Sequence, residues 1–184
     1  YQWKWQYEYI NEDFGYFSNL ATPRDQIENR QAKGENYLLE VDNHLVIPVG
    51  KKIRFLVTAN DVIHSWWVPD FGVKKDAIPG FINETWTRVD KPGIYRGQCT
   101  ELCGKDHGFM PIVVEALPKA EFQRWLASRR SAAGVPAAAP AATPTAPAAP
   151  TAPAMPADAP GAAAPSAEAT QAAGTASAAP SAAL

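Results

Sequence analysis

The two cysteines of the chain, Cys99 and Cys103, stand four residues apart, and His107 and Met110 follow in the same short run, Cys99-Thr100-Glu101-Leu102-Cys103-Gly104-Lys105-Asp106-His107-Gly108-Phe109-Met110. Two thiolates, an imidazole and a thioether make a soft donor set. Cys and Met favour Cu(I), and imidazole suits copper in either oxidation state. A hard-cation site would offer carboxylates and amide carbonyls instead. A second imidazole, His64, lies upstream in Val62-Ile63-His64-Ser65-Trp66. The collection reads as a copper site. Zinc is the competing metal, because it takes Cys2His2 sets. A Cys99–Cys103 disulfide would require an oxidising compartment and would leave the His and Met pattern without a role. A mononuclear blue-copper centre uses one Cys, two His and a weak axial Met, so the second Cys exceeds its needs.

The pattern His64, then Cys99-x-Glu101-x-Cys103-x-x-x-His107-x-x-Met110, resembles the dinuclear CuA site of cytochrome c oxidase subunit II. The likeness extends to Gln2-Trp3-Lys4-Trp5-Gln6-Tyr7-Glu8-Tyr9, Leu38-Leu39-Glu40-Val41-Asp42-Asn43, Asp76-Ala77-Ile78-Pro79-Gly80 and Met110-Pro111-Ile112-Val113-Val114. It runs from about residue 1 to about residue 130.

The resemblance implies specific roles. Cys99 and Cys103 bridge two copper ions, and His64 and His107 are the terminal imidazoles. Met110 gives a thioether to one copper, and Glu101 gives its backbone carbonyl to the other. Sharing one unpaired electron over two metals and two sulfurs keeps the redox geometry change small, which suits electron transfer. The Glu101 carboxylate is expected to help bind Mg2+ shared with subunit I. Trp3 matches the exposed tryptophan through which the family takes electrons from cytochrome c. Docking acids are sought among Glu8, Glu12, Asp13, Asp42, Asp61 and Asp70. The implied function is the electron-transfer subunit of a bacterial haem-copper oxidase, receiving electrons from cytochrome c and passing them to haem in subunit I, where oxygen is reduced. Nitrous-oxide reductase carries a similar site but adds a histidine-rich propeller, whereas this chain has three histidines. Quinol oxidases lose the copper ligands, all six of which are present.

Positioning such a set requires stiff elements. Residues 37–41 read as an extended apolar run. In 51–58, Ile53, Phe55 and Val57 alternate onto one face. Thr85-Trp86-Thr87-Arg88-Val89 suits a pleated surface. Residues 93–98 lead straight into Cys99, and 112–114 leave the ligand loop directly. Pro48, Gly50, Pro79-Gly80 and Pro92-Gly93 punctuate these runs. Short strands with turn signals predict an antiparallel sandwich or barrel. The family fold, a cupredoxin-like Greek-key β-sandwich, agrees, so the class is all-β. Five ligands fall on one inter-strand loop and His64 on another. Pro118 with Phe122, Trp125 and Leu126 on one stripe predicts a short closing helix within 118–130. His44, the third histidine, reads as a surface residue.

Composition divides the 184 residues near position 131. All 17 basic residues, and all but Asp158 and Glu168 of the 19 acidic ones, precede it. The first part, 1–130, is neutral, which argues against nucleic acid as a partner, and it is long enough for a core. The second part, 131–184, is nearly all Ala, Pro, Ser and Thr, without an aromatic residue. It cannot bury enough apolar area to offset ordering entropy, so a disordered extension is expected. No stretch of about 20 apolar residues is present and no signal peptide opens the chain. The family carries two transmembrane helices ahead of this domain, so the resemblance implies a soluble piece facing the periplasm, lacking its membrane hairpin.

Overall fold

The computed structural model describes residues 1–134. The extension expected over 131–184 lies outside them from residue 135 onward. Nine strands and two α-helices follow in order: β1 (Trp5–Tyr9), β2 (Phe14–Ser18), α1 (Arg24–Ile27), β3 (Leu45–Pro48), β4 (Lys52–Val57), β5 (His64–Val68), β6 (Val73–Ala77), β7 (Asn83–Arg88), β8 (Gly93–Cys99), β9 (Pro111–Leu117) and α2 (Lys119–Ala133). A five-stranded sheet runs β3-β9-β8-β5-β6, and the pairs β1-β2 and β4-β7 form two smaller sheets.

Side-chain alternation explains which faces meet. In β4, Ile53, Phe55 and Val57 turn inward while Lys52, Arg54 and Leu56 face out. β9 is different. It sits inside the large sheet, and Ile112, Val113 and Val114 are all completely buried. Burial on both faces favours a continuous apolar run over alternation. Trp5, Trp66, Leu45, Ile47 and Ile112 share one core cluster with Cys99, Cys103 and Met110. The chemistry-bearing residues are therefore an end of the hydrophobic core, held by its packing.

Three expectations change. The pairing is not wholly antiparallel: β3 runs parallel to β9, with Leu45 opposite Val114. These strands are far apart in sequence, so no hairpin dictates their sense. Residues 37–41 are not a strand. Tyr37 N–H bonds Gly34 O, Leu39 N–H bonds Asn36 O, and Leu38 takes φ 59°. The run lacks period-2 alternation, and only Val41 makes a bridge, to Leu20. The closing helix forms but continues to Ala133. Ser131-Ala132-Ala133 contains no proline to stop it, and Gly134, in the left-handed region at φ 69°, ends it.

Candidate metal centre

β8 ends at Cys99 and β9 begins at Pro111. The loop between them folds back on itself, with His107 N–H bonding Gly104 O and Phe109 N–H bonding Asp106 O. The Sγ atoms of Cys99 and Cys103 lie 3.9 Å apart. Both thiols are free and buried, and that separation is far longer than an S–S bond. His107 Nδ1 is 3.5 Å from Cys103 Sγ, and Met110 Sδ is 3.6 Å from the same sulfur. The Glu101 carbonyl oxygen lies 3.4 Å from Cys99 Sγ, while the Glu101 side chain is exposed. His64 Nδ1 comes within 4.0 Å of Cys99 Sγ. The donor atoms of His64, Cys99 and Cys103 all lie within 4.8 Å of one another.

All six sequence-derived candidates thus converge. His64 differs from expectation in its support: it is the first residue of β5, paired with Ala77 of β6, and not a loop residue. A strand fixes it better than a loop would, and its imidazole is almost fully buried, at 1% exposure.

Four hydrogen bonds lock the ligand loop to other elements. Thr100 N–H bonds Ser65 O at 3.1 Å, tying the loop to β5. Trp5 Nε1 donates to Met110 O at 3.1 Å. The Cys103 carbonyl accepts from both Gln2 Nε2, at 2.8 Å, and Trp3 Nε1, at 3.1 Å. Trp3 is half-buried, so its ring touches the loop and retains a surface edge. Gly104 makes this approach feasible. A Cβ there would stand 2.9 Å from Trp3 Cζ2.

Electrostatics prepare His64 as a neutral donor. Burial pushes its pKa down, and the hydrogen bond to Asp61 offsets this only in part. His64 Nε2 bonds Asp61 Oδ1 at 2.9 Å. With Nε2 occupied by a carboxylate, Nδ1 is the nitrogen left to face the sulfurs, which is how carboxylates fix the tautomer of metal-ligating histidines. Asp61 Oδ2 also accepts from Gln2 N–H at 2.6 Å. Burial alone would raise the Asp61 pKa, but the hydrogen bonds from His64, Gln2 and Val62 outweigh it and hold it at about 2. The Cys103 thiol is pushed up to about 12, first by burial and then by Cys99. Without a metal, it is protonated at neutral pH.

The donor set discriminates among metals. A tetrahedral Cys2His2 zinc site would be complete without a thioether or a backbone carbonyl. Here the buried Met110 sulfur and the Glu101 carbonyl converge on the same sulfurs. That surplus suits soft, weak axial coordination of copper.

Not every expected docking acid is free. Glu12 pairs with Arg130. Asp42 accepts two hydrogen bonds from Asn19, and Asp61 is engaged as described. Glu8 and Asp70 are exposed. His44 is not a surface residue: it is half-buried, with Nε2 2.9 Å from Glu40 Oε1 and Nδ1 3.3 Å from Glu115 Oε2. Sequence alone sets Asp61 close to His64 but does not give the Asp61–His64–Gln2 arrangement. The spacing Asp61-x-x-His64 was visible, but not that the amino-terminal segment would close on it.

Residues 1–117 match the family model for the periplasmic domain of cytochrome c oxidase subunit II. The probable cytochrome c oxidase subunit 2 of Rickettsia felis is 50% identical over 133 residues, covering 72% of this chain and 41% of that protein. The corresponding Rickettsia prowazekii protein is 50% identical over 134 residues, with the same coverage. The chain therefore spans about two fifths of the length of these curated relatives. A crystal structure of the periplasmic domain of subunit II (CoxB) of Bradyrhizobium japonicum matches with a TM-score of 0.63 at 45% identity, over 71% of this chain and 88% of that one. A mixed-disulfide intermediate between a thioredoxin-like protein and subunit II of cytochrome c oxidase matches with a TM-score of 0.59 at 43% identity, over 71% and 86%.

Proposed function

The chain belongs to the cytochrome c oxidase subunit II family through its periplasmic, cupredoxin-like domain, and on that premise we propose that it is the electron-entry module of a haem-copper terminal oxidase. It takes electrons singly from cytochrome c and delivers them to haem in subunit I, where oxygen is reduced. The observation that carries the reading is the convergence of six donors, including the Met110 sulfur and the Glu101 carbonyl, at the end of a rigid core.

Copper binding comes with the family, and the pair of coppers we propose would supply a one-electron couple. Cys99 and Cys103 would hold both ions between them. His64 and His107 would bind one each through Nδ1, the nitrogen that faces a cysteine sulfur in both cases. Met110 and the Glu101 carbonyl would serve as additional, weaker donors. The exposed Glu101 carboxylate would help hold a Mg2+ whose other ligands come from the partner subunit, in keeping with the few protein carboxylates such ions use. Trp3 is the proposed entry point, because its indole N–H bonds the carbonyl of Cys103. Asp61 positions His64, Gln2 and Trp3 hold the loop, and the surrounding core excludes water.

The native subunit would be anchored in the inner membrane. No helix of the described residues is long and apolar enough to cross it, so anchoring would fall to other segments. Loading copper needs both thiols reduced, and a thioredoxin-like reductant is the natural partner for that step. The decisive test is metal analysis with optical and EPR spectra after copper is added to the reduced protein. Two coppers per chain with a delocalised mixed-valence signal are expected. One copper with a blue-type signal, or zinc alone, would overturn the dinuclear reading.

A further inference from the structure

The donors that converge at the metal centre are closed off from solvent. Cys99, Cys103 and Met110 are 6%, 4% and 2% exposed, and His64 is buried with them. A metal site needs an entry path as well as ligands, so one of the elements around these donors has to move before an ion can reach both sulfurs. The elements differ in what holds them. His64 lies on β5, which is paired with β6 on one side and β8 on the other. Cys99 ends β8, which is paired with β5 and β9. Moving either strand breaks ladder hydrogen bonds and opens the core. The ligand loop carries its own turns, through His107 N–H and Phe109 N–H, and Thr100 N–H ties it to β5.

Residues 1–4, just ahead of β1, are held in another way. Among the described residues, their backbone-to-backbone bonds are internal, between Tyr1 and Lys4. What joins them to the metal centre runs through side chains. Gln2 Nε2 and Trp3 Nε1 donate to Cys103 O, Gln2 N–H donates to Asp61 Oδ2, and Asn60 Nδ2 donates to the Tyr1 hydroxyl. The Lys105 ammonium stands 5.7 Å from the centre of the Trp3 ring. Gln2 is exposed and Trp3 half-buried, so water replaces these bonds when they part. Segments held by exposed hydrogen bonds and few buried apolar contacts open locally at the lowest cost. Yet this segment lies against the donors: the Trp3 ring packs on the core cluster that contains Cys103.

We propose that residues 1–4 form a flap over the two sulfurs, hinged at Trp5, and that copper is loaded while the flap is open. The proposal rests on the copper reading above. Trp5 is the fixed end, buried and bonded to Met110 O. With the flap open, the Cys103 carbonyl loses both side-chain donors and the Cys103 sulfur faces water, accessible to a reductant and then to the ion. Closure returns Gln2 and Trp3 to that carbonyl. Because the entry indole rides on the flap, it is seated only once the metal is enclosed, which places loading before electron transfer.

Thiol labelling and hydrogen exchange on the copper-free, reduced chain provide the test. The buried thiol reacts only from an open state, so the opening equilibrium read from iodoacetamide labelling of Cys103 is expected to match that read from exchange of the Trp3 indole N–H. The amides of Thr100, His107 and Phe109, which report on the loop, are expected to open less often. Trp3→Ala should speed both Cys103 labelling and copper uptake by at least about tenfold, and Gln2→Ala, at an exposed side chain, by a smaller factor. If Trp3→Ala fails to fold, Gln2→Ala carries the comparison. Labelling in step with the loop amides would make the ligand loop the moving part and overturn the flap. Unchanged labelling in the variants would overturn it as well. If the unmodified chain takes up no copper, the copper reading fails and the loading role fails with it. Copper uptake at a rate that neither variant alters removes the flap alone.

Discussion

His64 and His44 each lean on carboxylates, yet only one is equipped to bind a metal. His64 gives Nε2 to Asp61 and turns Nδ1 toward Cys99. His44 gives Nε2 to Glu40 and Nδ1 to Glu115, and so has no nitrogen to spare. Arg96 completes the second cluster by bonding Glu40 Oε2 at 2.8 Å. Surroundings reinforce the contrast. His64 is buried among sulfurs at the end of the core, and burial depresses its basicity. His44 is half-buried among two carboxylates and a guanidinium. One histidine is held as a donor, whereas the other fastens β3's entry to β8 and β9. Residue type alone does not make a ligand. A free lone pair aimed at other donors does.

The harshest way to break the comparison is to remove a proposed bridging sulfur. Cys103→Ser should abolish the dinuclear copper signal outright, since Cys103 lies next to Cys99, His107 and Met110 together. His64→Ala should lose copper affinity by more than about 100-fold, beyond the range for outer-sphere changes. His44→Ala should leave copper content and the EPR spectrum intact. If His44→Ala emptied the centre while His64→Ala did not, the assignment of roles would be reversed. Copper titration with EPR checks all three.

A smaller loss is expected one step further out. Asp61 reaches His64 through one oxygen and Gln2 through the other. Asp61→Ala should therefore loosen His64 and the Trp3 segment together, costing about 10- to 100-fold in copper affinity. The same change frees Nε2 and lets the imidazole change tautomer. NMR of His64 in the copper-free protein should show that change directly, whereas an unaltered His64 spectrum would make Asp61 a surface charge only.

Copper uptake should also depend on pH. The Cys103 thiol sits at about 12 before metal arrives, so binding must expel its proton. Affinity should rise with pH and protons should appear on titration in weak buffer. Binding without proton release would show that Cys103 is not bound as thiolate.

The residues that could do chemistry were legible in the sequence because their side chains are rare and close together. Cys103, His107 and Met110 share one loop that opens directly after Cys99, the last residue of β8, and local spacing suffices to place them. Strands with clean alternation, such as β4, were equally legible. What escaped notice depends on long-range closure. Tyr37 to Val41 is apolar enough for a strand, but Gly34 and Asn36 bend it into turns, and no partner strand reaches most of it. The parallel match of β3 to β9 spans some seventy residues, and no local pattern encodes direction. Trp3 was found by resemblance, whereas the reason it can lie on the loop is Gly104, whose missing Cβ becomes meaningful only once both are placed.

The mildest effect separates stability from metal binding most cleanly. Glu40 is partly buried, which by itself raises its pKa, but hydrogen bonds from Arg96, His44 and the Val41 N–H prevail and lower it. A carboxyl whose folded pKa lies below its unfolded value adds stability that is complete above the ordinary carboxylate range. That stability is lost as pH falls through the folded value. Glu40→Gln should flatten this acid limb and, near neutral pH, cost on the order of 1 kcal/mol, because hydrogen bonds to charged partners are at stake and the group is about a third exposed. Copper stoichiometry should not move, because both His44 nitrogens face carboxylates and none of this cluster's atoms bonds a proposed ligand. Melting curves from pH 3 to 7 with copper analysis at each point would check this. Copper loss in step with the acid limb would mean that the two histidine clusters are coupled, and the separation of roles between His44 and His64 would have to be abandoned.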